Sequence, residues 1–242
     1  ALAGDGSIWA WRGGRSGQLG DGLAVDRSIP VQVQGLLGVS KIAAGAFRSF
    51  AIRESDQTVW AWGNNAWGEL GLGHYTNQLV PVEVAAFKGF VDIKSGWNHT
   101  VGLKGDGTVW TCGLKYYGAL GHWGLNSHHR VNTPMQVPGV TGVQGISAGL
   151  YSSYAYQMNG TVWAWGFNRE GHLGTGTYQE SYYNPVVIPE IQGSVILVYG
   201  GYHGYAFKND RSIWYWGYNG SGQLGDGTKS HRGGIPQSTQ GI

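Results

Sequence analysis

Few residues in this chain of 242 are of the types that carry chemistry. Three imidazoles, His122, His128 and His129, fall within eight residues, a spacing able to wrap a metal ion. No Cys or carboxylate accompanies them and the adjacent Arg130 repels cations, so the stretch reads as a polar surface loop. The 14 acidic residues are scattered, and Asp5 and Asp106 stand in Gly-Asp-Gly, where they read as positive-φ residues of a hairpin turn. Gly20-Asp21-Gly22 and Gly225-Asp226-Gly227 lack the alternating oxygen ligands of a calcium loop. No nucleophile elbow is present. The expectation is a non-enzymatic chain with no catalytic residues, no metal and no cofactor.

A different set of residues recurs. Phe47-Arg48, Trp97-Asn98-His99, Tyr151 and Tyr202-His203 occupy one position of a repeat, each beside glycine and small polar residues. Trp67, Tyr116 and Tyr117 occupy a second. Aromatics mixed with Arg and His are the composition of protein-binding hot spots, so these residues form the expected partner-binding set. The competing reading packs them inside the fold.

The elements that must position them are organised on the strand Trp-x-Trp-Gly. It is written as Trp9-Ala10-Trp11, Trp60-Ala61-Trp62-Gly63, Trp110-Thr111-Cys112-Gly113, Trp163-Ala164-Trp165-Gly166 and Trp214-Tyr215-Trp216-Gly217, a period of about 51 residues. Each period divides into four short strands. In the second copy they are expected over 39–45, 50–52, 58–62 and 80–84, with β-branched and aromatic residues alternating. Gly4-Asp5-Gly6, Gly105-Asp106-Gly107 and Asn159-Gly160 supply tight hairpins between the second and third.

After each Trp strand comes Gly-x-Leu-Gly, at 17–20, 68–71, 118–121, 171–174 and 222–225, where glycines let the backbone double back and plug Leu into a core. Pro30, Pro81, Pro134, Pro185 and Pro236 open the fourth strand, which places it at a sheet edge or starts it at the proline. Cys112 replaces the second Trp of its copy and reads as a small buried filler. Four antiparallel strands per period with Gly and aromatic punctuation predict an all-β propeller.

Composition bounds the function classes. Charged residues are 12%, Gly numbers 44 and aromatics reach 13%, which describes a turn-rich, aromatic-packed β protein. A net charge of +2 with no block of like charge argues against nucleic-acid partners, and no apolar run suits membrane insertion. Asn98, Asn159 and Asn219 open glycosylation-type triplets, two at turn positions, where coincidence is the simpler reading.

Val91-Asp92-Ile93-Lys94-Ser95-Gly96, then His99-Thr100, Asp106-Gly107-Thr108-Val109-Trp110, and Trp165-Gly166-Phe167-Asn168 with Gly171-His172-Leu173-Gly174 together resemble the RCC1 repeat. The resemblance spans nearly the whole chain. It implies one propeller domain over 1–242, with repeats starting near 1, 39, 91, 143 and 195 and five four-stranded blades, as a closed five-bladed ring or part of a seven-bladed one. Nineteen strands are expected, because the first piece has four copies and the others five. The resemblance also implies a rigid face offering variable aromatic-rich loops to a protein partner. Glycan binding is the alternative, disfavoured because Arg48, His99, Ser152 and His203 differ where identical sugars would call for one residue. A Trp-based light sensor, suggested by Gly96-Trp97-Asn98-His99-Thr100, and a small-GTPase exchange factor rank lower. The Asp-Gly-Thr-Val-Trp wording is similar to bacterial members of the family, with an extracellular or cell-surface location expected.

Overall fold

The computed structural model describes residues 1–122, 130–191 and 202–238, and the backbone of 194–199. His128 and His129 lie outside the described residues, while His122 is buried. Eighteen strands build one two-stranded and four four-stranded sheets among the described residues. The first sheet pairs β1 (Trp9–Arg12) with β2 (Arg27–Gln32). The second contains β3 (Lys41–Ala44), β4 (Arg48–Arg53), β5 (Thr58–Gly63) and β6 (Gln78–Glu83). The third contains β7 (Phe90–Ser95), β8 (His99–Lys104), β9 (Val109–Leu114) and β10 (Arg130–Gln136). The fourth runs β11 (Val143–Ala148), β12 (Ser152–Gln157), β13 (Val162–Phe167) and β14 (Ser181–Val187). The fifth runs β15 (Ser194–Tyr199), β16 (His203–Lys208), β17 (Ile213–Gly217) and β18 (Arg232–Ser238). In each of the four, the strands lie in chain order. Two compact units result, one built on the first three sheets and the other on the last two.

Three sequence expectations change in detail. The piece at Ala1-Leu2-Ala3 is a single bridge, Leu2 to Ile8, so the first sheet has two strands and the total is 18. The five prolines sit inside their strands rather than opening them. All five fourth strands lie at sheet edges, and Pro30, Pro81, Pro185 and Pro236 fall where the register shifts: between Ala61 and Gly63, for example, Gln78 to Val82 spans the bulge that holds Pro81. A bulge on an edge is where a missing N–H costs no ladder bond. Third, the aspartates of the hairpins are not the positive-φ residues. The residue after each takes that conformation, at Gly6, Gln57, Gly107 and Arg211, as Gly160 does after Asn159. The carboxylate instead accepts hydrogen bonds from Ser or Thr two residues on, as at Asp56–Thr58 and Asp210–Ser212. That hydroxyl in turn accepts the indole N–H of Trp60 or Trp214. An Arg or Lys from the neighbouring strand covers the same rings: Lys208 lies 3.7 Å from the Trp214 centroid and Arg53 5.5 Å from that of Trp60.

The second Trp of the strand makes the joint between repeats. Leu of every Gly-x-Leu-Gly turn is buried, which turns the carbonyl of residue x toward the next repeat. That carbonyl accepts two side-chain donors each time. At Gln18 they are the Ser49 hydroxyl (2.9 Å) and Trp62 Nε1 (3.0 Å). At Ala119 they are the Ser153 hydroxyl and Trp165 Nε1, both at 3.0 Å. At His172 they are the Tyr154 hydroxyl (2.5 Å) and Trp216 Nε1 (2.6 Å). In the third copy Thr100 donates to Glu69 at 2.7 Å and the Cys112 thiol stands in for the indole at 3.5 Å.

Cys112 is buried as expected, and the volume of the missing indole is made up from elsewhere. Phe87, on the 3₁₀ turn Ala85–Phe87, fills it, stacked edge-on to Phe90 at 4.9 Å and Phe50 at 6.5 Å. Phe87 lies over Gly71, as Trp62, Trp165 and Trp216 lie over Gly20, Gly121 and Gly174.

Gln57 (φ 57) and Arg211 (φ 68) hold a left-handed conformation that glycine adopts in the other copies. Gln57→Gly and Arg211→Gly are each expected to raise the unfolding free energy by about 0.5–1 kcal/mol, and Gly160→Ala to lower it by a similar amount. Urea titrations check this, and a loss in either glycine variant would contradict it.

Candidate functional site

The loops between first and second strands are short and backbone-braced. Gly45, Gly96 and Gly149 donate to the carbonyls of Arg48, His99 and Ser152 at 2.8–2.9 Å. The carbonyl just before the second strand, at Phe47, Asn98, Tyr151 and Tyr202, accepts the N–H of Asn64, Leu114, Phe167 and Tyr218 at 2.7–2.9 Å. The glycine ending Trp-x-Trp-Gly makes this approach possible. Gly63, Gly113, Gly166 and Gly217 have φ between 93° and 111°, and a Cβ on any of them would fall 2.3–2.8 Å from that loop carbonyl. The motif that defines the repeat thus clamps the loop that carries the aromatics.

In the first unit Phe47 and Trp97 are each 40% exposed and meet edge to face, ring centroids 5.7 Å apart. Trp67 is also exposed, and Asn98 is partly so. Arg48 and His99, expected at the binding surface, are both buried to 1% exposure. They are the first residues of β4 and β8, and their side chains enter the interior instead of following the aromatic outward. Arg48 donates to Glu69 Oε1 (2.8 Å), Ser95 Oγ (2.9 Å) and the carbonyls of Gly96 (3.1 Å) and Trp97 (2.7 Å). It is a positioning residue that ties the Trp97 loop to the turn of the preceding repeat. Burial pushes the Glu69 carboxyl up from its ordinary value, against the pull of the Arg48 charge. Burial pushes the Cys112 thiol up as well, which makes it a poor nucleophile.

In the second unit the predicted Tyr116, Tyr117, Tyr151 and Tyr202 join a longer row of rings. Tyr117 lies 4.0 Å from Tyr116, 5.6 Å from Tyr151 and 4.6 Å from Phe167. Phe167 lies 5.1 Å from His172, His172 5.2 Å from Tyr202, and Tyr202 6.4 Å from Tyr218, which meets His231 at 4.5 Å. Tyr116 and Tyr202 are exposed; Tyr117, Tyr151, Phe167, Tyr218 and His203 are partly so. Phe167 and Tyr218 were not among the expected residues, although both follow the glycine of the Trp strand and so share one repeat position.

His172 is enclosed at the centre of this row, at the x position of its turn. Burial, with His203 and His231 nearby, pushes its imidazole down to about 4 from an ordinary 6.5. A histidine held neutral in the fold but free to ionise when unfolded contributes stability that is whole above pH 6.5. That stability is lost as pH falls toward 4, to the extent of about 3 kcal/mol. His172→Gln, the residue at this position in Gln18 and Gln223, is expected to flatten that decline in urea titrations at pH 7 and 4.5. Parallel losses in both proteins would contradict it.

The profile of the Regulator of chromosome condensation (RCC1) repeat matches residues 5–52, 56–103, 106–156 and 159–207. Its frame opens near the Asp or Asn hairpin, so the turn carbonyl of each joint lies in one matched copy and the indole or thiol that it accepts lies beyond that copy's end. The chain is 31% identical over 238 residues to the ultraviolet-B receptor UVR8 of Arabidopsis thaliana, covering 96% of this chain and 53% of the receptor. It is 31% identical over 238 residues to the human E3 ubiquitin-protein ligase HERC2, covering 94% of this chain and 5% of the ligase. The chain therefore spans about half, or far less, of the length of these relatives. Human WBSCR16 superposes with a TM-score of 0.85 at 20% identity, over 97% of this chain and 66% of that one. Prp20p of Saccharomyces cerevisiae, whose binding to Gsp1p and histones has been described, superposes at 0.84 and 18% identity, over 98% and 59%. With its repeats matched along most of its length and its sheets superposing on propellers of this type, the chain belongs to the RCC1-repeat family.

Proposed function

We propose that the chain is a non-enzymatic protein-interaction module. The observation that carries this reading is the combination of exposed aromatic rings with a backbone that cannot easily move them. Phe47 and Trp97 in one unit, and Tyr202 in the other, stand on loops clamped by the Trp-strand glycines, and Tyr116 is exposed on the 3₁₀ turn Tyr116–Gly118. Rigid aromatics give binding area at low entropic cost, because few rotamers are frozen on association. Prp20p binds proteins, which supports the mode and leaves this chain's partner to its own loops.

Glycan binding is less well supported by the same geometry. Stacked sugars need polar groups beside the rings to read hydroxyls. At the first position of the second strand, Arg48, His99 and Ser152 are buried to 1% exposure and cannot reach a surface ligand, which leaves only the partly exposed His203. For a light sensor the ground is thinner, because Trp97 is the Trp of that motif in one copy alone and meets Phe47. The bacterial cell-surface location rests on repeat wording alone; the relatives named above are eukaryotic.

The test is binding of a partner identified by cross-linking to the purified chain. Trp97→Ala or Tyr202→Ala is expected to weaken that complex at least about tenfold without changing the melting temperature. Unchanged affinity in both variants would exclude the aromatic loops as the binding surface.

A further inference from the structure

The hairpin between second and third strands carries a short hydrogen-bond relay, and one copy lacks its end. Where the hairpin holds an aspartate, the Ser or Thr two residues on donates its hydroxyl to the carboxylate, at 2.7 Å for Thr58, 2.6 Å for Thr108 and 2.5 Å for Ser212. Ser7, Thr58 and Ser212 in turn accept the indole N–H of Trp9, Trp60 and Trp214 at 3.0–3.3 Å. A carboxylate only accepts, so the hydroxyl aims its hydrogen at it and leaves its lone pairs for the indole. The fourth copy has Asn159 in place of the aspartate, and an amide fixes no such orientation. Thr161 gives its backbone N–H to Asn159 Oδ1 at 3.0 Å, but its hydroxyl makes no bond to the amide among the described residues. Trp163 Nε1 is buried without an acceptor.

Asn159 is also followed by Gly160, and a glycine nitrogen, unhindered by a side chain, can approach the amide carbon of the Asn before it. Asn159 is exposed at the tip of the hairpin, where water and base reach it. The Thr161 N–H on Oδ1 is placed to take up negative charge as a nucleophile adds to Cγ. One backbone bond, from Gly160 N–H to the Gln157 carbonyl at 3.0 Å, must open first. The chain contains its own control in Asn219-Gly220. Asn219 is fully buried, its amide donates to Asp226 and to the carbonyls of Thr228 and Ser230, and its Oδ1 accepts the Leu224 N–H.

We propose that Asn159 is a site of spontaneous deamidation, and that the aspartate formed there completes the relay to Trp163. The Gly160 nitrogen gives its proton to solvent base and bonds to Asn159 Cγ. The Cγ–Nδ2 bond breaks, Nδ2 takes a proton from water and leaves as ammonia, and a cyclic succinimide remains. Water adding at Cγ breaks the new C–N bond and leaves aspartate; water adding at the main-chain carbonyl leaves isoaspartate, which lengthens the turn. The sum is amide and water to carboxylate and ammonium, with no redox change. Gln157 ends its strand where Arg53, Lys104 and Lys208 end theirs, so the new carboxylate gains no cation there. The relay forms without one at Asp5, where the same place in the turn is held by Ala3.

The test is incubation of the folded chain in mildly alkaline buffer, beside the same chain unfolded in urea, with both mapped by peptide mass spectrometry. Exchange of ammonia for water is expected at Asn159 and not at Asn219 in the folded chain, and at both in urea. In the Asn159→Asp variant, which carries the residue that the other copies have, the Trp163 indole proton is expected to exchange at least about tenfold more slowly than in the unaltered chain. The proposal is overturned by a folded chain that protects Asn159 as well as Asn219, by a product that is isoaspartate alone, or by Trp163 exchange that Asn159→Asp does not slow.

Discussion

One backbone carbonyl per repeat, at the x of Gly-x-Leu-Gly, constrains the rest of the structure. Plugging Leu into the core leaves that carbonyl buried, and a buried acceptor without donors costs about 1–3 kcal/mol. The following repeat supplies a hydroxyl and an indole at Gln18 and Ala119, a hydroxyl and a thiol at Glu69, and an indole at His172, where Tyr154 of the same repeat supplies the hydroxyl. Packing contributes more than the bond itself, since truncating a buried Trp costs about 3–5 kcal/mol while one hydrogen bond contributes about 1. Packing therefore supplies stability and the hydrogen bonds fix register. Glycine follows from the same requirement, because any side chain at Gly20, Gly121 or Gly174 would press into the ring that makes the bond.

The same economy of space reaches the surface. The glycine after each Trp pair admits the loop carbonyl, and the loop then shows an aromatic outward on a fixed backbone. Arg48 adds a second brace, connecting Glu69 of one repeat to the Trp97 loop of the next through four hydrogen bonds. A buried ion pair of this kind is weak evidence for stability, because desolvation offsets much of its attraction. Its evident effect is geometric, holding Trp97 where it meets Phe47. Partner binding as proposed needs no catalytic group, only rings that vary from copy to copy on a frame that does not.

Much of this was legible from local pattern. The period, the Trp strand, the Leu plug and the four-strand division are written in residues close together in the chain, where alternation and turn chemistry act. The burial of Arg48 and His99 was not legible, because an Arg beside an exposed Phe looks like surface until Glu69, 21 residues on, folds back onto it. Phe87 was hidden for the same reason: it replaces an indole 25 positions later in sequence, from a 3₁₀ turn that no other copy shows there among the described residues. The prolines left two readings, a sheet edge or a strand start, and pairing decides for the edge while adding bulges that local pattern does not show. The aspartates were given the right turn but the wrong role. Phe167 and Tyr218 carried a signal, an aromatic after the motif glycine, that two copies alone made easy to miss.

The indole protons of Trp62, Trp165 and Trp216 test the joint most directly, by hydrogen exchange followed in NMR spectra. If these bonds hold the repeats together, all three exchange only through opening of the folded units, while the exposed Trp11 exchanges freely. Exchange of the three as fast as Trp11 would show that the joints open locally and that the carbonyl–Trp bond does not organise the fold.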